Sequence, residues 1–443
     1  MRRTEALSGN GGFLTWAQRV LHANLVLLSN TVAVSAGSAL TAIAGFAYWW
    51  VAARHFDPDA VGTASAVISI MGLIGLLGDF GLGTLLLSAA LNGERGQGLI
   101  SAAVTASLAV SVVLAASYLT VAEVIPSINR GLDGFGINDA LLIAGCALQG
   151  TTLVVDHALI AQLQGKLQFL RNATCAVLKL LLLQSFTVCL PDADGSTLLL
   201  SSWVIGLATA MGVVLVVARR RGTIVLGRPD FPGLLPQIPR VLDHHALNMA
   251  SQAPAILFPF LVAVVFSPAV SAAFYPAWAM VHAASLFTAA LTMVLYRLGS
   301  VDPNRMKEQM AVSMLLSAVF SCTTAAALFL LSPSLLAFFN PAYPELAGPS
   351  LSLLGFGLIS ISIRQHYLVL MRVQGQMRAA SARFAVWGIL EISCACAGAV
   401  FMGVQGFVLG WLLSISLQSA TMLRPLFVAS HLHDGWARRH GRG

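Results

Sequence analysis

The chain is 443 residues long, 57% hydrophobic and only 10% charged, with a mean hydropathy of +0.81. Soluble domains carry roughly 25% charged residues, so an ordinary water-soluble fold is excluded and a multi-pass membrane protein is expected. The net charge of +7 is spread over short segments between apolar stretches, which speaks against a nucleic-acid footprint and for membrane topology with attraction to anionic lipid.

In chain order, Phe13, Trp16, Ala17, Val20 and Leu21 recur at helical spacing with Arg19 and His22 elsewhere on the wheel. Residues 1–30 are therefore expected to lie in the headgroup layer. The first long apolar run begins near Thr31 and suffices to remain as a span, so no cleavable signal peptide is expected. Spans of about 20 residues are predicted near 31–53, 61–90, 99–122, 139–163, 173–190 and 197–218. A second six are predicted near 244–266, 270–296, 309–331, 348–371, 381–402 and 405–428. Residues 246–296 hold no Asp, Glu, Lys or Arg, enough for two spans joined by a tight turn at Ser267-Pro268.

The two sets match at an offset of 210 residues: Phe56-Asp57-Pro58 corresponds to Phe266-Ser267-Pro268, and Gln164-Gly165 to Gln374-Gly375. An even number of spans per repeat puts both halves in the membrane the same way up. The expected architecture is all-α, with twelve transmembrane helices in two pseudo-symmetric six-helix bundles around a central cleft. Residues 31–218 form one lobe, 219–243 a basic cytoplasmic linker, 244–428 the other lobe and 429–443 a basic tail. Within the linker, Leu234, Leu235, Ile238, Val241 and Leu242 repeat the amphipathic pattern before the seventh span.

With the amino terminus inside, the outer loops hold only Arg54 and Arg130 among the cations, while the remaining loop cations fall in cytoplasmic segments. That asymmetry places both termini in the cytoplasm. The six cysteines all fall within predicted spans, none at metal-ligand spacing with His or Cys, and read as small apolar fillers. The outer loops are short, and nucleophile-elbow, zinc-protease and phosphate-cradling patterns are missing. Enzymatic chemistry is not expected.

Ionisable residues inside spans would each cost roughly 2.5–3.5 kcal/mol against lipid, so they must face protein or water. Asp156 and Lys179, on the fourth and fifth helices, are equidistant from the hairpin centre and so at one depth, and Arg364 and Glu391 are likewise one repeat later. Each half is thus expected to carry a buried ion pair, functional or purely structural, thickened by His157 and His366. Asp79, in Leu77-Gly78-Asp79-Phe80-Gly81, has no evident partner. It reads either as a cation or proton site or as a carboxylate at inner-surface water or a helix terminus. Around it, recurring glycines suit close helix packing. Pro254 and Pro259 remove two backbone donors from the seventh span and mark a kink or hinge.

The run Gly45-Phe46-Ala47-Tyr48-Trp49-Trp50-Val51-Ala52-Ala53-Arg54-His55-Phe56, continuing through Asp57-Pro58-Asp59-Ala60-Val61-Gly62 to Asp79-Phe80-Gly81-Leu82-Gly83-Thr84, resembles the first helical hairpin of polysaccharide flippases. These belong to the multidrug/oligosaccharidyl-lipid/polysaccharide exporter superfamily. Span count, two-lobe repeat and length extend the likeness over nearly the whole chain. The resemblance implies transfer of an undecaprenyl-diphosphate-linked oligosaccharide across a bacterial plasma membrane. Lys179, Arg364 and Arg54 would then contact cargo, while Asp79, Asp156 and Glu391 would couple lobe rocking to a proton or sodium gradient. No organic cofactor is expected. Expected partners are the bilayer, the lipid-linked glycan and polysaccharide polymerase or export proteins. The alternatives are a cation-coupled multidrug or metabolite antiporter and a non-transporting component of a polysaccharide assembly complex.

Overall fold

The computed structural model describes residues 37, 40–88, 93–125, 128, 136–223, 226–301, 303–347 and 349–429. The expected headgroup helix near 13–22, Arg130 and the tail from 430 onward lie outside the described residues. The helices are α1 (40–55), α2 (Pro58–Asp79), α3 (Leu82–Ser88), α4 (Gly93–Val124), α5 (Ile137–Ala161), α6 (Gly165–Cys189) and α7 (Gly195–Arg220). After the linker come α8 (Phe231–Leu234), α9 (Ile238–Val265), α10 (Pro268–Val301), α11 (Pro303–Phe339), α12 (Tyr343–Ala347), α13 (Gly357–Val373) and α14 (Met377–Ala429). There is no strand among the described residues.

Ten of these helices are long and apolar enough to cross a membrane. One of the ten, α14, is two spans folded back on each other: Met402 leaves helical geometry and Gly403 takes φ +58. A Cβ on Gly398 or Gly406 would collide with the other's carbonyl oxygen, so only glycine lets the limbs 377–401 and 404–429 approach this closely. Counting that second limb and α1 gives the expected twelve. The chain is a multi-pass membrane protein.

Three spans depart from the sequence expectation, and the one expected at 348–371 opens with a 3-10 stretch, Pro349–Phe356, and is α-helical only from Gly357. The stretch expected as one span at 61–90 breaks at Phe80 and Gly81, both left-handed at φ 47 and φ 74. α6 begins at Gly165 rather than near 173, because the polar residues Lys166, Gln168, Arg171 and Asn172 are accommodated inside the helix. The α5–α6 turn closes with Leu163 left-handed at φ 56 and the Gln164 amide donating to Leu159 O at 2.7 Å. The α13–α14 turn closes the same way, with Gly375 at φ 68 and Gln376 donating to Met371 O at 2.9 Å. Both are Schellman-type ends. Their left-handed residues lie two positions out of the Gln-Gly register, so that sequence landmark does not mark structurally equivalent residues.

The lobes meet chiefly through α2, which packs along α9 and α10. At the end of the molecule bearing the α1–α2 and α9–α10 turns, called here the turn end, a Cβ on Gly62 would collide with the Pro268 backbone. The Asp59 carboxylate accepts from the Ala269 amide at 3.1 Å, 210 positions away, so equivalent residues of the two repeats touch. Ser65 and Ser271 hydroxyls lie 3.3 Å apart beside them. In α9, Pro259 cannot donate to Ala255 O, and the Trp278 indole does so instead at 2.9 Å. Pro254 lies against Gly388 of α14, where a side chain would crowd its ring.

Candidate functional site: a cavity between the lobes

Below the turn-end contacts lies a cavity of about 750 Å³ lined by both lobes. α1, α2, α5, α6 and α7 contribute Phe46, Trp49, Ser69, Gln149, Lys179 and Trp203, while α9 and α10 contribute Ile256, Tyr275, Trp278 and His282. Such a volume lies within the range of small-molecule sites, roughly 300–1,000 Å³. The wall is mostly apolar and aromatic. Among the described residues, Lys179 is the one formally charged group on the wall, and no Asp or Glu lines it.

Helix packing puts Lys179 there. α6 packs mainly on α7, and Gly206 of α7 leaves room for the Lys179 backbone and Cβ, which a side chain at 206 would approach at 3.1 Å. The ammonium then lies 4.1 Å from the Trp203 ring centroid and 5.3 Å from that of Tyr48. Tyr48 is itself fixed by donating to Leu199 O at 2.9 Å. With no carboxylate among the described residues at ion-pair distance, cation–π attraction of about 2 kcal/mol when desolvated is the local compensation for removing the ammonium from water.

The expected Asp156–Lys179 pair does not form. Asp156 instead takes a two-pronged bond from Arg171, at 2.7 Å from Nε and 2.6 Å from Nη2. The reason is the hairpin centre, which lies at Leu163 and not midway between 156 and 179. Asp156 and Arg171 are equidistant from that turn, whereas Lys179 is eight residues further along α6, roughly 12 Å at 1.5 Å per residue. The overlooked signal was Gln164-Gly165 itself, which marks where the helix starts. Arg364 and Glu391 do meet, at 2.8 Å. The Arg364 guanidinium also lies 5.4 Å from the Phe384 ring and reaches Ser251 O at 3.5 Å. It does not line the cavity; His282 stands on the wall.

Asp79 closes α2, and its carboxylate accepts from the Gly81 amide at 3.2 Å and from the Gly83 amide, in the first turn of α3, at 3.0 Å. The break at Phe80 creates the helix end that this carboxylate serves, which is the helix-terminus reading of the residue. His157 Nδ1 bonds Leu153 O at 2.7 Å. His366 is 1% exposed; its Nδ1 donates to Ser362 O at 2.8 Å, so its Nε2 accepts from the Ser313 hydroxyl at 2.9 Å when the ring is neutral. Arg54 lies at the turn end, outside the cavity lining, with its guanidinium directed at Phe338 O. No group of three metal-ligating side chains assembles among the described residues.

No family model matches the chain, and no curated protein matches it. Solved structures do. One described as the inward-facing conformation of a multidrug resistance MATE family transporter of the MOP superfamily superposes with a TM-score of 0.68 at 14% identity, covering 88% of this chain and 95% of that one. An outward-facing conformation of a multidrug resistance MATE transporter gives 0.60 at 14% identity, covering 91% and 94%. A MOP superfamily transporter from Pyrococcus furiosus, described as having a binding pocket of reversed polarity that suggests a different function, gives 0.61 at 13% identity over 91% and 96%. The fold is that of MATE transporters.

Proposed function

We propose that this chain is an alternating-access transporter of an anionic lipid-linked glycan, an undecaprenyl-diphosphate-linked oligosaccharide, across the bacterial plasma membrane. One observation carries the reading: a cavity between the lobes whose described lining holds one formal charge, the Lys179 ammonium, and no acidic group. A phosphate entering the cavity meets a cation that has no competing carboxylate. The partly exposed rings of Trp203 and Tyr275 offer apolar surface with polar edges against which sugar rings can lie. The polyprenyl tail stays in the bilayer while the headgroup occupies the cavity.

In this reading the turn end faces outward and both termini face the cytoplasm, so the lobes are closed outside. A proton or sodium gradient would drive the rocking. Asp79, Asp156 and Glu391 are each engaged in the closed state, so any coupling through them requires breaking a cap or an ion pair. The competing reading, export of hydrophobic cations, draws on the aromatic wall; the missing carboxylate opposes it.

The test is translocation in proteoliposomes containing a polyprenyl-diphosphate oligosaccharide. Lys179→Ala removes a charge-assisted contact of about 1.5–3 kcal/mol, so the rate should fall about 10- to 100-fold, with Lys179→Arg retaining most of it. Undiminished translocation by Lys179→Ala, or efflux of a cationic dye that needs no Lys179, would refute the proposal.

A further inference from the structure

The closed turn end has two seams related by the internal repeat, and they are built differently. On one, the face of α1 formed by Phe46, Trp50 and Arg54 docks on the end of α11. Arg54 donates to Phe338 O from Nε at 3.1 Å and Nη2 at 2.7 Å, and the Trp50 indole donates to the same oxygen at 3.1 Å. In return Asn340 Nδ2 donates to Ala53 O at 2.7 Å, its own Oδ1 held by the Ala342 amide at 2.9 Å. Both accepting carbonyls lie in the last turn of their helices, where no intrahelical donor reaches them, and a cation there is favoured by the helix dipole. Trp50 and Phe338 stack at 5.6 Å, with the guanidinium 5.7 Å and 5.9 Å from the two rings.

On the other seam the repeat counterparts of Trp50 and Arg54 are Phe260 and Val264. Phe260 touches Tyr118 of α4 at 6.3 Å between rings, and Val264 has no group to donate. Ile128, 210 positions before Phe338 but already past the end of α4, has its carbonyl taken within its own lobe by the Tyr118 hydroxyl at 3.2 Å. The counterpart of Asn340, Arg130, lies outside the described residues, and at the positions described the second seam has no equivalent of the Arg54 and Trp50 bonds.

We infer that Arg54, Trp50 and Asn340 form a reversible latch in which each lobe caps the other's helix end, holding the turn end shut along the α1–α11 seam. Arg54 is a positioning residue of the conformational cycle, whatever the cavity carries. Its bonds run to a single backbone carbonyl rather than to a carboxylate, so release exposes only groups that water can satisfy at this exposed site. Opening leaves no charge stranded, which suits a contact that must break and reform.

Spin labels on exposed positions of the two lobes, Asp192→Cys in the α6–α7 turn and Glu345→Cys in α12, report the gap in nanodiscs once the native cysteines are replaced. Arg54→Ala with Asn340→Ala should raise the population with the longer interlobe distance about tenfold from a minor state of a few per cent, with Arg54→Lys intermediate and Val264→Ala unchanged. Identical distance distributions in the double variant and its parent would overturn the latch, as would equal opening by Val264→Ala. If the double variant does not purify folded, Asn340→Leu, which removes only the bond to Ala53, carries the same expectation and the same refutation.

Discussion

Glu391 shows how a buried charge is tolerated in this protein. It is 2% exposed, at ion-pair distance from Arg364, which extends in turn to α9 at Ser251 O. Replacing one partner strands the other: Glu391→Ala should cost about 3–5 kcal/mol, whereas the apolar double variant Arg364→Met with Glu391→Leu should cost much less. Thermal unfolding in one detergent orders the three proteins; a double variant as unstable as the single one would contradict the account. Lys179 is the opposite case, a cation whose local partners are rings rather than carboxylates. The sequence identified Lys179, Arg364 and Glu391 as intramembrane charges because each interrupts an apolar run. It paired Arg364 with Glu391, which do meet at 2.8 Å, but gave Lys179 the wrong partner, since Arg171 falls before the expected fifth span and neither Tyr48 nor Trp203 carries any linear sign of lying beside Lys179.

At the scale of the helices, most spans were legible from uninterrupted hydropathy, because a bilayer-facing helix must hide its backbone polar groups and expose apolar side chains. Ends were less legible. Polar residues within the first turns of α6 looked like loop, and that error of eight residues produced the wrong ion pair. The break between α2 and α3 was hidden because Phe80 is apolar, although its left-handed geometry favours glycine. Leu163 is similarly placed at φ 56, and a non-glycine residue there bears roughly 1–2 kcal/mol of strain. Leu163→Gly should therefore stabilise the α5–α6 hairpin by about 1 kcal/mol, read as a raised melting temperature. A lowered value would mean that the half-exposed leucine contributes more by packing than it costs in strain.

For the whole molecule, the repeat predicted two equivalent lobes, and the turn-end contacts between Asp59 and Ala269 realise that equivalence in space. What the repeat did not disclose is where symmetry is broken. The cavity carries its ammonium from α6 of the first lobe and an imidazole, His282, from α10 of the second. Arg54, expected at the mouth as a cargo contact, is engaged across one seam. The proposed function, drawn from a described lining that holds one cation and no carboxylate, makes a definite claim about the sign of the cargo. Binding of farnesyl diphosphate and of a lipophilic aromatic cation to the purified protein, each followed by quenching of its tryptophans, tests that claim most directly. The account predicts that the diphosphate binds at least about tenfold more tightly, a difference of about 1.4 kcal/mol, and that Lys179→Glu reverses the order. Tighter binding of the cation by the unmodified protein would contradict it.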